Sequence, residues 1–273
     1  EHLRLEFTPA PEDAGSLAAM EKGAAPAPEQ KRELLRAEVS GDGENDALVE
    51  SRTYVRDADD PEGRRLVQFV RLTGGRIIAD DTAGTLSVPG AGRAAIYDGR
   101  ATSDRGEMVA RQRGDLVSGR SFRGSALFIW KGAMSMDRSS GLLRLRRAVQ
   151  MVHRPLDGGP PATMECERLD ATFAVPRTRG EAEGAGTELT RATARDAVYV
   201  ESGGRKMLAD QVEYDAAASI AEATADEGNR VTLYDDTRAT PVTARSLIWN
   251  LATDRITVRE PTPIVTPMSP SRR

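Results

Sequence analysis

The sequence predicts an all-β protein: an elongated antiparallel sheet folded over on itself and built from repeated hairpins. Three observations predict it. First, one strand–turn–strand phrase returns four times, at 76–88 (RIIADDTAGTLSV), 133–145 (AMSMDRSSGLLRL), 211–223 (QVEYDAAASIAEA) and 246–258 (SLIWNLATDRITV). Each copy alternates apolar and polar residues, meets an Asp or Asn where the first strand ends, turns through short polar residues and alternates again, as a hairpin does. Second, almost nothing between 34 and 260 carries the 3.6-residue period of a helix. Third, turn chemistry breaks the chain at close intervals: Gly41-Asp42-Gly43, Gly74-Gly75, Pro89-Gly90, Asp157-Gly158-Gly159-Pro160, Gly203-Gly204 and Glu227-Gly228-Asn229. A chain that repeats one hairpin is more often a β-repeat scaffold than an enzyme assembled around a unique pocket.

In order, Leu3-Arg4-Leu5-Glu6-Phe7 alternates and predicts a short strand. A Pro/Ala/Glu-rich stretch follows, with Pro9, Pro11, Pro26 and Pro28, so 1–33 reads as a short strand plus a linker or loop, with a brief helical turn at 16–22. From 34 the pattern predicts strands at 34–39, 48–56, 66–72, 76–80, 84–88, 93–98, 107–112, 115–118 and 125–130. They continue at 133–137, 142–153, 163–174, 189–201, 206–214, 219–224, 230–235, 241–249 and 254–259. The Gly- and Pro-containing segment 176–188 marks a mobile tip or seam between a first half, 34–175, and a second, 189–260, continuous with it. The residues from Pro261, with further prolines and two final arginines, read as a tail. The close spacing implies strands that meander between near neighbours.

Composition narrows the function classes. Aromatics make up only 4% of the 273 residues and hydrophobics 39%, which suits a thin, elongated core filled by Val, Leu, Ile and Met. The net charge of -4 gives nucleic-acid binding no electrostatic support. No apolar run approaches the roughly 18 residues needed to cross a bilayer as a helix. The single cysteine, Cys166, excludes an intrachain disulfide. The chain begins at Glu1 rather than Met and reads as a piece of a longer protein.

Side chains alternate across a strand, so parity assigns faces. It puts Phe128 with Trp130, Met134 with Met136, and Val149 and Met151 with Leu143 and Leu145. It likewise groups Val198 with Val200, Leu208 with Val212 and Tyr214, Val231 with Leu233, Leu247 with Trp249, and Ile256 with Val258. The opposite faces carry Arg144, Arg146, Gln150, Glu201, Glu213 and Asp215. One face is apolar and one wet, as in an antiparallel sheet with a single solvated side. That apolar face is either a sealed core or the lining of a groove for something greasy; Met and aromatic residues suit both.

Catalytic and metal chemistry finds little footing. His2 sits near a chain end, and His153 ends a strand before Arg154-Pro155. A Cys166–His153 nucleophile pair across the 154–162 turn has no recognisable orienting group or oxyanion donor. Asp57, Asp59 and Asp60 form a dense carboxylate loop but lack calcium-loop spacing. The Gly-rich stretches at 40–43 and 89–92 have no following helix, so neither is a phosphate cradle. No pair of carboxylates is singled out for glycoside hydrolysis. No cofactor or metal is expected.

Three phrases in fixed order, GRKMLADQVEYD (204–215), RVTLYDD (230–236) and TARSLIWN (243–250), resemble the OstA-like family of lipopolysaccharide-transport proteins of the periplasmic bridge type. The blocks at 128–132, 149–153 and 165–169 look like a further copy, and 76–98 is similar but weaker. The resemblance covers about 70–260 and carries no catalytic residue. It implies a β-jellyroll bent like a taco shell, whose apolar interior holds the acyl chains of lipopolysaccharide or another glycolipid. It also implies stacking on other β-jellyroll subunits or domains by edge strands, in the periplasm or cell envelope of a Gram-negative-type bacterium. Strands 34–39 and 254–259 are the expected edges. Arg144, Arg146, Lys206 and Arg245 are candidates to meet head-group phosphates or sugars at a groove mouth, or lie on a solvated outer face. The competing functions are a structural or adhesive β-scaffold with a sealed core and, less readily, a carbohydrate-active enzyme.

Overall fold

The structure, a computed structural model, describes residues 2–7, 34–43, 46–56, 64–99, 124–156, 158–174, 189–251 and 253–261. Among them every regular element is a β-strand. In chain order these are β1 (His2–Phe7), β2 (Leu34–Ser40), β3 (Ala47–Arg56), β4 (Arg64–Gly74), β5 (Arg76–Asp80), β6 (Thr85–Val88), β7 (Gly92–Asp98), β8 (Gly124–Trp130) and β9 (Met134–Asp137). They are followed by β10 (Leu142–Pro155), β11 (Ala162–Phe173), β12 (Leu189–Ser202), β13 (Arg205–Asp215), β14 (Ile220–Thr224), β15 (Val231–Asp235), β16 (Val242–Asn250) and β17 (Arg255–Pro261). Each strand expected from alternation within the described residues is present. The expected strands at 107–112 and 115–118, the helical turn at 16–22, the linker and the tail beyond 261 lie outside the described residues.

Every pairing is antiparallel, and the registers resolve two facing layers that share their long strands. Layer A runs β1–β2–β5–β6–β9–β10–β11–β12–β13–β14–β16–β17. Layer B runs β3–β4–β7–β8–β10–β11–β12–β13–β15–β16. The long strands belong to both. In β10, residues 142–145 pair with β9 and residues 150–155 with β8. In β13, residues 205–208 pair with β15 and residues 211–215 with β14. Shorter strands cross between layers at Ser40/Ala47, Gly74/Arg76, Val88/Gly92, Trp130/Met134 and Thr224/Val231. The chain therefore shuttles from a lip of layer A, over a common spine, to a lip of layer B and back. β11 and β12 pair along both layers, so the described strands before and after 176–188 belong to one sheet, while the expected tip or seam at 176–188 itself lies outside the described residues.

The spine is where the sequence departs from regular alternation. Strands that bend from A to B spend two residues at the corner, Arg147-Ala148 in β10 and Asp196-Ala197 in β12, and all four have positive φ. Strands that bend from B to A spend one, Glu167 in β11 and Asp210 in β13. Two residues preserve inward parity; one inverts it. This corrects the grouping of Leu208 with Val212 and Tyr214: Leu208 is exposed on the outside, and Met207 is buried inside. Both two-residue corners carry the same phrase, Arg-X-Ala-Val, at 146–149 and 195–198. The Pro89–Gly92 stretch is another corner rather than a hairpin turn. There Trp130 Nε1 donates to Gly90 O at 2.9 Å. A Cβ on Gly92 would lie 2.6 Å from the Trp130 ring, so this close approach demands glycine.

The four phrase copies are four hairpins of the A lip, and they share one local solution. Asp80 Oδ1 accepts from Ala83 N at 2.7 Å, Asp215 Oδ1 from Ala218 N at 3.0 Å and Asn250 Oδ1 from Thr253 N at 2.9 Å. Asp137 Oδ1 accepts from Ser139 N at 2.8 Å and from Ser140 N at 3.3 Å. Each side chain thus satisfies an amide that the turn would leave unpaired. The fourth residue after each Asx is left-handed: Gly84, Gly141, Ser219 and Asp254 have φ between 53 and 67°.

Candidate functional site: the inner face

Directly opposed residues of antiparallel strands share a face, so the registers place all sixteen candidate residues. On layer A, Met134 and Met136 oppose Leu145 and Leu143; Val212 and Tyr214 oppose Ala223 and Ala221; Leu247 and Trp249 oppose Val258 and Ile256. On layer B, Phe128 opposes Met151, Trp130 opposes Gly92, Val200 opposes Met207, and Val231 opposes Ala244. Val149 opposes Cys166, Val198 opposes Ala209, and Leu233 opposes Met207 and Val242. By register all sixteen belong to the face along which the two layers meet, but Val258, on β17, is 36% exposed.

Burial on this face is graded. Beside the spine the inward side chains are closed off: Val88, Trp130, Leu145, Val149, Val198, Val231 and Leu247 are each at most 1% exposed. Toward the lips burial is mixed: Phe128, Leu143, Leu233 and Trp249 are still closed off, whereas Leu86, Met136, Met151, Phe173, Val200, Tyr214 and Ile256 are half-buried and pack against that core. The interior is therefore a wedge, tight at its apex and wetter at its mouth. The rim of the B lip turns polar with Gln68, Asp98, His153, Ser202, Arg205 and Asp235, which share parity with the apolar residues nearer the spine.

The two ends differ. At the N-terminal end the edges are β1 on layer A and β3 on layer B, and inward-facing Leu3, Leu5 and Val49 are 65%, 45% and 40% exposed. The expected edge at 34–39 is corrected, since β2 lies between β1 and β5. β17, which pairs only with β16 among the described strands, is the edge at the other end, as expected.

Of the head-group candidates, Arg144 and Arg245 are exposed on the outside. Arg146 stands 2.7 Å from Asp170, and Lys206 3.9 Å from Glu201, also outside. They form the solvated outer face, not the mouth. Sequence parity grouped one apolar face but missed Leu72, Ile77, Met164, Leu169 and Met207, all buried inward. It also missed Arg205, whose inward position follows from its two-residue spacing to Met207.

Cys166 and His153 both face inward, yet Cys166 opposes Val149 at the spine whereas His153 opposes Ala162 toward the lip. That separates them by about 13 Å along the strands at 3.3 Å per residue, so they do not form a nucleophile pair. Burial pushes the Cys166 thiol up to about 12, which keeps it protonated. Burial, with Asp215 nearby, also raises the Tyr214 phenol. Among the described residues no group of three or more His, Cys, Asp or Glu could hold a metal ion. The loop with Asp57, Asp59 and Asp60 lies outside the described residues. No known protein family and no curated protein matches the chain.

Proposed function

We propose that this chain is a non-enzymatic cell-envelope β-repeat domain of the OstA type, which holds the acyl chains of lipopolysaccharide or another glycolipid between its two layers. The graded inner face carries the proposal. Along the lips Met136, Met151, Val200 and Ile256 keep partial access to water beside the closed Phe128, Leu143, Leu233 and Trp249, which supports an apolar margin that a chain can enter. Each methylene moved from water onto such a surface contributes about 0.8 kcal/mol, so acyl chains need no dedicated hydrogen bonds. Stacking on another β-jellyroll copy or domain has candidate edges in β1 and β3 at one end and β17 at the other, each paired on one side only among the described strands. A periplasmic location accompanies this proposal. A sealed structural scaffold is the second reading, favoured by the complete burial along the spine.

One experiment separates the two. A photoreactive phenylalanine derivative replaces Met151, facing inward, or Leu127, facing outward on the adjacent β8. After illumination with purified lipopolysaccharide, a lipid adduct is expected at position 151 and not at 127. No adduct at 151, or equal adducts at both, sinks lipid carriage.

A further inference from the structure

Arg205 joins the two lips at the C-terminal end of the wedge. It opens β13 on the B lip and points to the inner face, two residues from buried Met207. Its Nε donates to Asp235 Oδ2, on the same lip, at 3.2 Å. Its Nη1 donates to the carboxylate of Asp254 and, at 3.4 Å, to that residue's carbonyl. Asp254 belongs to the β16–β17 turn, which is part of the A lip. Trp249 completes the cluster: its Nε1 donates to Asp254 Oδ1 at 3.0 Å, and the Arg205 guanidinium carbon sits 5.7 Å from its ring centroid.

The two carboxylates are not equivalent. Asp235 is 11% exposed and accepts from Thr237 N at 2.9 Å and Thr237 Oγ1 at 2.5 Å, so it is fixed to its own lip. Asp254 is 64% exposed and sits in a turn. Its exposure lets it exchange Arg205 for water, giving up the Trp249 Nε1 bond as well, whereas Arg205 stays anchored by Asp235. Once Asp254 leaves, a guanidinium remains at the boundary between an apolar wall and solvent. That is where the head of an anionic amphiphile lies when its chain enters the wedge, and a guanidinium matches phosphate or carboxylate oxygens two at a time.

We propose that Arg205 is the anion-recognition residue of the groove mouth, held by Asp254 until the phosphate or carboxylate head of an amphiphile displaces that carboxylate and parts the lips. The proposal rests on the wedge holding acyl chains. Its test is calorimetric titration of the full chain with dodecyl phosphate, neutral dodecyl maltoside and inorganic phosphate, the amphiphiles kept below their micelle concentrations. Arg205→Gln is expected to weaken dodecyl phosphate at least tenfold, and Asp254→Asn, which removes the competing charge, to tighten it several-fold. Dodecyl maltoside, which offers Arg205 no charge, should not weaken in Arg205→Gln. Acrylamide quenching gives a second readout: Trp130 and Trp249 are 1% and 5% exposed, so quenching should be weak in the free chain, and dodecyl phosphate, by parting the lips beside Trp249, should increase it. Equal dodecyl phosphate affinity in all three chains overturns the latch and leaves lipid carriage standing. A matching response to inorganic phosphate alone overturns the amphiphile assignment. If neither amphiphile binds any chain, lipid carriage fails and the latch falls with it. Should Arg205→Gln not fold, absence of tightening in Asp254→Asn is sufficient to overturn the proposal.

Discussion

Along β10 the inward side chains pass from Val149 at the bend, fully buried, to Met151 and His153 toward the B lip, half-exposed. The same passage runs along β12 from Val198 to Val200 and Ser202, and along β9 from Met134 to Met136. At the spine, backbone and side chain are both constrained: non-glycine residues hold left-handed conformations, and Trp130 presses on Gly92. At the lips the constraint is local, in Asx-closed turns, and the inward side chains are loosely covered. Tight packing is thus concentrated along one line of the molecule, and the opposite margin is more loosely covered. Regions that must open are drawn from the least stable part of a fold.

The largest test of this contrast is a pair of truncations. Leu169, 2% exposed beside the spine, is expected to lose about 3 kcal/mol on Leu169→Ala, whereas Met151→Ala at the half-exposed margin should lose about 1 kcal/mol. Urea unfolding measures both, and equal losses would erase the distinction between spine and lip. A smaller effect of opposite sign is expected at the A lip. Ser219 has φ 53° and is 2% exposed, with a hydroxyl that has no partner among the described residues. Ser219→Gly relieves the backbone and removes the buried hydroxyl, for a gain of about 1 kcal/mol in the same assay. A loss instead would show that the Ser219 hydroxyl has a partner.

The smallest expected effect is an acid dependence confined to the lips. Hydrogen bonds from Ser139 and Ser140 hold Asp137 down at about 2, and those from Thr237, helped by Arg205, hold Asp235 at about 2. An unfolded aspartate titrates near 3.9, so the unfolded chain takes up protons first as pH falls. Both contributions are complete above about pH 4 and are lost between about pH 4 and 2. The urea midpoint should therefore be flat from neutral pH to about 5 and then decline, and Asp137→Asn should flatten the decline. An unchanged slope in that variant removes Asp137 from the effect.

Much of the layering was legible because its determinants are local. The recurring phrase found four A-lip hairpins, since Asp80, Asp137, Asp215 and Asn250 each close a turn with residues three positions away or fewer. Parity found the inner face wherever a strand stays in one layer. It failed at Leu208 because the single corner residue between Ala209 and Gln211 inverts the faces, and a bend in mid-strand leaves little mark on an alternating pattern. The repeated Arg-X-Ala-Val phrase was the available signal, and only the backbone showed its meaning. The pairing of β1 with β2 and the meeting of Arg205 with Asp254 are long-range. They depend on how the layers close, which no local pattern encodes.

The one- and two-residue corners also determine which changes in chain length this protein can absorb. Removing Ala148 alone would turn the rest of β10 over, sending Met151 out to solvent and Gln150 and Val152 into the wedge, with every later register on that strand displaced. Removing Arg147 and Ala148 together would keep the faces but leave too little chain to bend. The lip turns have no such arithmetic, because each begins and ends a strand. Lengthening and shortening over generations is therefore expected to accumulate at the lips, while the spine keeps its residue count even as its side chains drift.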